Sequence, residues 1–338
     1  MPEDPQIPDG TYHAEGCLDN DGTSDEPVWV RVTVHVSGEE MVIDVSGSDG
    51  ARWGPINCGE AQAVSACRVA YKLLINPDNP PNGGAFRPLT VKVRRGSLLA
   101  AAEPHPCQWY FTPLGLLIDL VVRALSEALP EQAAAASYGD SMIIGIAGFD
   151  QRHARPFFDL EPTVGGWGAW HGSDGEDGLI NNVNGSLKDL PIEVLETKFP
   201  IRMTTYGFRA DSGGAGRWRG GNGVIREYTI DCDEAQLYLW FERSKTPAWG
   251  LRGGDDALPP CVVINPGGDG ERMMLKASRL ALRRGDVIRT MTGGGGGFGE
   301  PSERDPRLVA ADVRSGQVTE RAAREIYGFD TRPDGAVQ

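Results

Sequence analysis

Short strand-like runs that do not alternate regularly with helices constrain the fold of this chain most strongly. Residues Val28 to Val36 have the sequence VWVRVTVHV, in which valines alternate with other residues as in a half-buried strand. A second alternating run, Met41 to Val45, follows across a turn-like interval and predicts a hairpin. Further strand-like runs, bounded by Gly, Pro or Asp turns, are Met142 to Ala147, Val224 to Ile230, Gln236 to Phe241, Cys261 to Asn265 and Val287 to Thr292. The predicted class is therefore α+β, with mixed, mostly antiparallel sheets and a few buried and carboxyl-terminal helices.

Three helices follow from periodicity and end signals. Between Glu60 and Ile75, apolar residues recur at spacings of three and four, which predicts an amphipathic helix. Near the carboxyl terminus, Asp305-Pro306 and Thr319 are typical first residues of two short helices, and Gly316 and Gly328 stand where helices end.

A fourth helix is predicted from Thr112 to Leu129, with Thr112 as the N-cap and apolar residues around most of its circumference. We expect it to be buried in protein. A membrane span is the alternative, but Asp119, Arg123 and Glu127 recur every four residues as a polar stripe that hydrocarbon would penalise.

The charge balance limits the partners of the chain. Its 338 residues include 33 Lys and Arg against 47 Asp and Glu, a formal charge of −14, and the few basic pairs are isolated. A nucleic-acid partner is therefore not expected. The start MPEDPQIPDG is neither basic nor apolar, and the six cysteines form no C-x-x-C pair, so we expect a cytoplasmic protein. We treat residues 1–338 as one unit with a possible sub-division near residue 150.

A glycine run near residue 295 contains a formal G-x-G-x-x-G pattern. A dinucleotide site would need a helix to begin on these glycines, but Glu300-Pro301 follows, and Glu300 would repel phosphate. We therefore predict a structural loop, a close-packed turn that only glycine fits, formed by Gly293, Gly294, Gly295, Gly296, Gly297 and Gly299.

The segment that begins Asp211-Ser212-Gly213-Gly214 is similar to the nucleophile region of trypsin-like proteases. No histidine stands in the context that such a protease needs, so Ser212 has no evident base. Two interpretations remain: a structural glycine-rich turn, or a turn in which Arg217 and Arg219 orient carboxylates or an anionic ligand.

The preferred site-lining loop runs from residue 165 to 178. Flexible backbone, aromatic side chains and polar groups together suit a small-molecule site. The candidate substrate-binding residues are Gly165, Gly166, Gly168, His171, Asp174 and Asp177, with Asp211, Ser212 and Arg217 from the later segment. An exposed acidic loop is the alternative. Metal binding by His171, Asp174 and Asp177 is disfavoured, because their spacing matches neither a zinc nor a calcium motif.

An ordered set of local patterns resembles the hydantoinase B/oxoprolinase family along essentially the whole chain. The patterns are Pro8-Asp9-Gly10-Thr11-Tyr12, Gly54-Pro55-Ile56-Asn57, Pro80-Pro81-Asn82-Gly83-Gly84, Gly165-Gly166-Trp167-Gly168-Ala169, Asp211-Ser212-Gly213-Gly214-Ala215-Gly216, Arg219-Gly220-Gly221 and Gly294 to Pro301 followed by Glu303-Arg304-Asp305-Pro306.

The resemblance implies a subunit of a multi-subunit complex that opens cyclic amides, as N-methylhydantoinase and 5-oxoprolinase do. A hydantoinase A-like partner would bind ATP and Mg and phosphorylate the amide oxygen of a small-molecule substrate, and the B component would complete hydrolysis. Related acetone and acetophenone carboxylases use the same pair of components, so a ketone carboxylase is the first alternative. A non-catalytic scaffold is the second.

The resemblance also implies that a part is missing. Family members usually carry a longer amino-terminal half that holds His and Asp ligands for a divalent metal, and this chain starts at what resembles the family's midpoint. Either Met1 begins a separately encoded subunit, or the chain is a fragment. We expect the metal on a separate subunit, no metal site within this chain, and a hetero-oligomer. No catalytic residue is assigned.

Overall fold

The computed structural model describes residues 7–75, 77–185 and 187–330. The strands, numbered in chain order, are β1 (Gly10–Leu18), β2 (Val28–Ser37), β3 (Glu40–Asp44), β4 (Leu89–Lys92), β5 (Ile143–Asp150), β6 (Arg155–Glu161), β7 (Ile201–Phe208), β8 (Val224–Ile230), β9 (Glu234–Trp240), β10 (Cys261–Ile264), β11 (Arg272–Met273), β12 (Lys276–Arg283) and β13 (Val287–Met291). The helices are α1 (Glu60–Leu74), α2 (Phe111–Leu125), α3 (Ile192–Lys198), α4 (Pro306–Ser315) and α5 (Glu320–Glu325), and a 3-10 turn covers Pro301–Glu303. The strands form three sheets that are antiparallel except for the β3–β4 pair, which confirms the α+β class.

The first sheet has the order β1-β2-β3-β4 and is covered by α1 and α2. The valine face of β2 enters the core as predicted, and Val30 and Val34 are fully buried. β2 and β3 form the predicted hairpin, with Ser37 opposite Glu40. Helix α1 buries Cys67, Tyr71 and Leu74 on one face. Local periodicity therefore predicted β2, β3 and α1 of this layer, but not β1 and β4.

Helix α2 differs from its prediction at both ends. It begins at Phe111 and ends at Leu125, and its N-cap position, Tyr110, makes no side-chain cap. Thr112 is not the cap, because its hydroxyl lies inside the helix and donates to Asp140 Oδ1 at 2.9 Å. Asp119 belongs to no exposed polar stripe. It is buried and pairs with Arg243 at 3.3 Å. The charge of a residue far away in the sequence therefore stabilises its carboxylate inside the protein.

A second core lies between the sheets β11-β10-β13-β8-β7 and β12-β9-β5-β6. One sheet contributes Tyr228 and Ile288, and the other contributes Ile146 and Leu237, all at most 1% exposed. The first core also contains Trp240, Ala248 and Trp249 from the second half of the chain. Because the cores share segments in this way, the sub-division near residue 150 stays a prediction.

The sequence analysis missed several strands, among them β6 and β7. Neither of these two strands has its apolar residues confined to the face that packs on the core. Strand β6 buries Phe157 and Asp159 while Phe158 and Leu160 remain exposed. Strand β7 is exposed along most of its length. Both are edge strands, whose pairing is decided by their neighbours in the sheet.

The glycine run near residue 295 packs against other glycine-rich segments without forming a sheet. Its N–H groups at positions 295, 296 and 297 donate to Gly221, Ala136 and Asp255 carbonyls at 2.9, 2.8 and 3.0 Å. Three consecutive N–H groups thus point to three different neighbouring segments. This is the pattern of a threefold, polyproline II-like segment rather than of a tight turn. Within residues 293–299, only Gly299 has a positive φ, of 74°. Close approach of backbones, rather than left-handed backbone, thus requires glycine at most positions of the run.

Candidate functional site

A cleft of about 350 Å³ is the candidate site. Five segments of the chain meet around it: the loop after α2, the loop of residues 165–178, the segment before β8, the segment between β9 and β10, and the end of the glycine run with the turn that follows it. Its lining residues are Pro130, Glu131, His171, Arg217, Trp218, Arg252, Phe298, Gly299, Glu300 and Glu303.

Aromatic side chains form one wall of the cleft. The Trp218 and Phe298 rings lie 5.7 Å apart between centroids, and the His171 ring meets Trp218 edge to face at 5.0 Å. Trp218 and Phe298 are held by two backbone hydrogen bonds, since each N–H donates to the other's carbonyl at 3.0 and 2.9 Å. The backbone therefore fixes the positions of the two aromatic residues that line the cleft.

Charged side chains form the rim. The Arg217 guanidinium stacks 4.8 Å from the Trp218 ring and lies 3.6 Å from Glu303. Arg252 has a φ of 55°, a conformation that non-glycine residues rarely adopt and that is often found at functional sites. Guanidinium groups bind carboxylate and phosphoryl oxygens well. The rim also carries Glu131, Glu300 and Glu303, so its charge is mixed, and Arg217 and Arg252 are its groups for an anion.

His171 is the residue of the cleft best suited to proton transfer. It is exposed, and its ring nitrogens make no hydrogen bond within the described residues. An imidazole with free nitrogens at the mouth of a cleft can accept a proton from water or donate one to a leaving group. The position of His171 agrees with its choice from the sequence, and its role stays a prediction.

Asp174 and Asp177 lie behind the cleft in a network of ion pairs. Arg304, whose side chain is fully buried, donates to Asp174 and to Asp312, each at 2.7 Å. Arg219 donates to Asp177 at 3.0 Å. Burial alone would raise the pKa of Asp174, but its hydrogen bonds and attraction to Arg304 outweigh burial and hold the pKa below the usual value. These carboxylates anchor the loop that carries His171, and we expect them to position the site rather than contact substrate.

The other candidates from the sequence lie away from the cleft. The Ser212 hydroxyl is buried, donates to Arg209 O at 2.5 Å and accepts from Gly223 N–H at 2.9 Å, so it is occupied as a structural bridge. Asp211 accepts from the N–H and the hydroxyl of Thr319 at 2.8 and 2.7 Å and supports the start of α5. Neither geometry is that of an activated nucleophile and base.

The glycines proposed as site residues are packed among backbones. Gly165 lies against the Tyr138 ring, and Gly166 and Gly168 approach the Gly221 and Ala135 carbonyls too closely for a Cβ. In the run from residue 294 to 299, every N–H donates to a carbonyl of the protein. These N–H groups are thus not available to hold a phosphate. Their contribution is to let the segments of the cleft approach one another.

Sequence reasoning missed Trp218, Arg252, Phe298 and the acidic rim of the cleft. Trp218 and Phe298 are 80 positions apart, and only their glycine neighbours hinted at close packing. A buried cluster of charges at the end of β1 was also missed. There the N–H of Asp19 donates to Glu242 at 2.7 Å, Lys276 pairs with Glu242, and burial raises the pKa of Glu242 to about 8 despite that pairing.

The geometry also bears on metal binding and on membrane insertion. Within residues 7–75, 77–185 and 187–330, no three His, Cys, Asp or Glu side chains converge in a way that could hold a metal ion. His171, Asp174 and Asp177 do not form such a group, since arginines engage both carboxylates. None of the described helices combines the length and the apolar character that a bilayer crossing needs.

Comparison with known proteins identifies the family. Residues 5–301 match the family described as hydantoinase B/oxoprolinase. The B component of a putative D-/L-hydantoinase from Pseudomonas sp. (strain NS671) is 28% identical over 336 residues, covering 96% of this chain and 56% of that protein. The crystal structure of an ATP-dependent caprolactamase from Pseudomonas jessenii is 27% identical, with a TM-score of 0.84, over 99% of this chain and 59% of the other.

A nucleotide-free acetone carboxylase structure has the same fold, with a TM-score of 0.80 at 20% identity, over 95% of this chain and 49% of the other. This chain thus spans about half the length of the relatives it matches. The resemblance noted from the sequence motifs is confirmed, and the chain belongs to the hydantoinase B/oxoprolinase family.

Proposed function

We propose that this chain is part of the B component of an ATP-dependent complex that hydrolyses cyclic amides. The observation that carries the proposal is its similarity to the ATP-dependent caprolactamase along 99% of its length. An ATP-binding partner of the hydantoinase A type and a polypeptide that supplies the remaining half of the B component complete the proposed assembly. ATP and Mg on the former convert the amide oxygen into a leaving group, and a divalent metal belongs to the latter.

The cleft supports this proposal by its chemistry. The Trp218 and Phe298 rings, inclined at 61° to each other, offer an apolar corner to a five- to seven-membered ring. Arg217 and Arg252 line the same cleft and supply guanidinium groups that can bind a carboxylate or phosphoryl group. His171, at 5.0 Å from Trp218, is placed to move a proton to or from the ring as it opens.

A reconstitution experiment tests the reaction class. We expect ATP hydrolysis by the complete assembly to depend on hydantoin, 5-oxoproline or caprolactam, and to disappear when this chain is omitted. The chain alone should hydrolyse neither ATP nor a cyclic amide. ATP use that requires a ketone with bicarbonate would favour the carboxylase alternative, and full amidase turnover without this chain would favour the scaffold alternative.

Replacing His171 by Ala tests the cleft itself. Because general acid–base groups contribute about 10²- to 10⁴-fold, we expect kcat of the assembled complex to fall at least about tenfold. The melting temperature should change little, since the exposed ring makes no hydrogen bond within the described residues. His105→Ala is the control, because the His105 ring also contacts a tryptophan ring, that of Trp53 at 4.8 Å, but lies outside the cleft; its Nδ1 is 3.0 Å from Ala102 O. Equal turnover of the two variants would remove His171 from the site.

A further inference from the structure

Strand β6 exposes apolar side chains on its outer face and buries carboxylates beside Phe157 on its core face. Its core-facing side carries Phe157 and Asp159, 8% and 6% exposed, together with Glu161, whereas Phe158 and Leu160 on the other side are 55% and 46% exposed. Burial raises the pKa of Asp159 to about 7, and the Glu161 carboxylate adds to this. A shift of register by one residue would exchange the two faces. The strand nevertheless keeps Phe158 and Leu160 outward.

The neighbouring strands extend this face. In the sheet register Ala147 of β5 lies opposite Phe158, and Gly145 lies opposite both Leu160 and Tyr238. The Phe158 and Tyr238 rings meet edge to face at 6.0 Å. Phe149, 48% exposed, continues the same row. We call this set, Gly145, Ala147, Phe149, Phe158, Leu160 and Tyr238, the outer apolar face.

An outer face of this kind is unusual for a sheet exposed to water. Antiparallel sheets with one solvated face normally carry polar residues there. Contiguous exposed apolar patches on soluble proteins mark interaction sites. Strand β6 is also the edge of its sheet and pairs, among the described strands, with β5 only. Both the side chains and the free edge therefore point to a partner at this face.

The identity of the partner follows from the chain lengths. This chain covers only 56% of the hydantoinase relative, so the unmatched part of that protein is almost as long as the matched part. A polypeptide of that size that stays with this half permanently needs a large interface. Permanent interfaces resemble a domain core cut in two and are more apolar than transient ones. The outer apolar face has that composition.

We propose that the outer apolar face binds the polypeptide that supplies the remaining half of the B component. This inference rests on the part of the proposed function that places the chain in the B component, and not on the reaction. The occupant covers Phe158 and Leu160 and contacts the free edge of β6.

Assembly without substrate or ATP tests the inference. The chain is mixed with the polypeptide of the same organism that matches the remaining half, and the Kd and the amide exchange of residues 155–161 are measured. We expect a stable complex in which exchange of that segment slows at least about tenfold. The double variant Phe158→Thr, Leu160→Thr should raise Kd at least about tenfold, because it removes two apolar contacts while threonine suits a strand.

Met273→Thr is the control, since Met273 is 71% exposed on β11, at the far edge of the other sheet. It should change Kd less than about twofold. Three results would overturn the inference: no complex, a complex whose Kd the double variant leaves unchanged, or self-association of the chain that the double variant abolishes. An assembly that forms as expected but hydrolyses no cyclic amide would contradict only the proposed reaction.

Discussion

Replacing Gly296 by Ala should destabilise the protein, although it adds a single methyl group. The new Cβ would lie 2.0 Å from the Trp249 carbonyl oxygen and 2.5 Å from its carbon. Both neighbours are backbone atoms, which cannot rotate away as a side chain can. The segment that carries Trp249 must therefore move by about 1 Å to reach ordinary contact distance.

The cost can be estimated from the hydrogen bonds that this movement strains. Gly296 N–H donates to Ala136 O at 2.8 Å, Ala169 N–H donates to Gly296 O at 2.9 Å, and Ala136 N–H donates to Trp249 O at 3.0 Å. Each buried bond contributes about 1 kcal/mol net. Loss of all three lowers the free energy of unfolding by about 3 kcal/mol. With about 2.1 cal/mol/K of unfolding entropy per residue, a chain of 338 residues then melts about 4 °C lower.

Gly293→Ala is the matched control within the same run. Its nearest atoms would lie 3.6 Å from the new Cβ, an ordinary contact, and its φ is not positive. We expect no loss, or a gain of about 0.5 kcal/mol from the restricted unfolded chain. Differential scanning calorimetry of the two variants beside the wild type measures the difference. Equal melting temperatures for Gly296→Ala and Gly293→Ala would refute the argument from backbone packing.

Two further substitutions test the interior of the site. Asp174→Asn should cost about 2 kcal/mol at neutral pH, because it removes a charged partner of the buried Arg304. Since the folded pKa of Asp174 is lowered, its contribution is full above about pH 4 and is lost as the pH falls further, so wild type and variant should converge in a series of melting curves taken towards acid. Ser212→Ala should cost about 1 kcal/mol and leave turnover of the assembled complex intact, and loss of turnover in a folded complex would restore Ser212 as a site residue.

The candidate site could be predicted from the sequence only in part. His171 and Arg217 were chosen from their local context, and both line the cleft. Asp174 and Asp177 were chosen for the same reason, yet arginines 130 and 42 positions away engage them. The local sequence around a carboxylate in a glycine-rich loop is similar whether the carboxylate contacts substrate or a buried guanidinium. The difference lies in long-range contacts, which local composition does not record.

Local sequence was sufficient for the elements whose residues repeat at the period of their own structure. Strand β2, helix α1 and the capped start of α4 are of this kind, because their burial and end signals lie within a few residues of one another. The ordered motifs were likewise sufficient for the family. Long-range packing was needed for the burial of Asp119, the exposed apolar side chains of β6 and the meeting of His171, Trp218 and Phe298. Each of these depends on which distant segments pack together, and packing free energy there outweighs local preference.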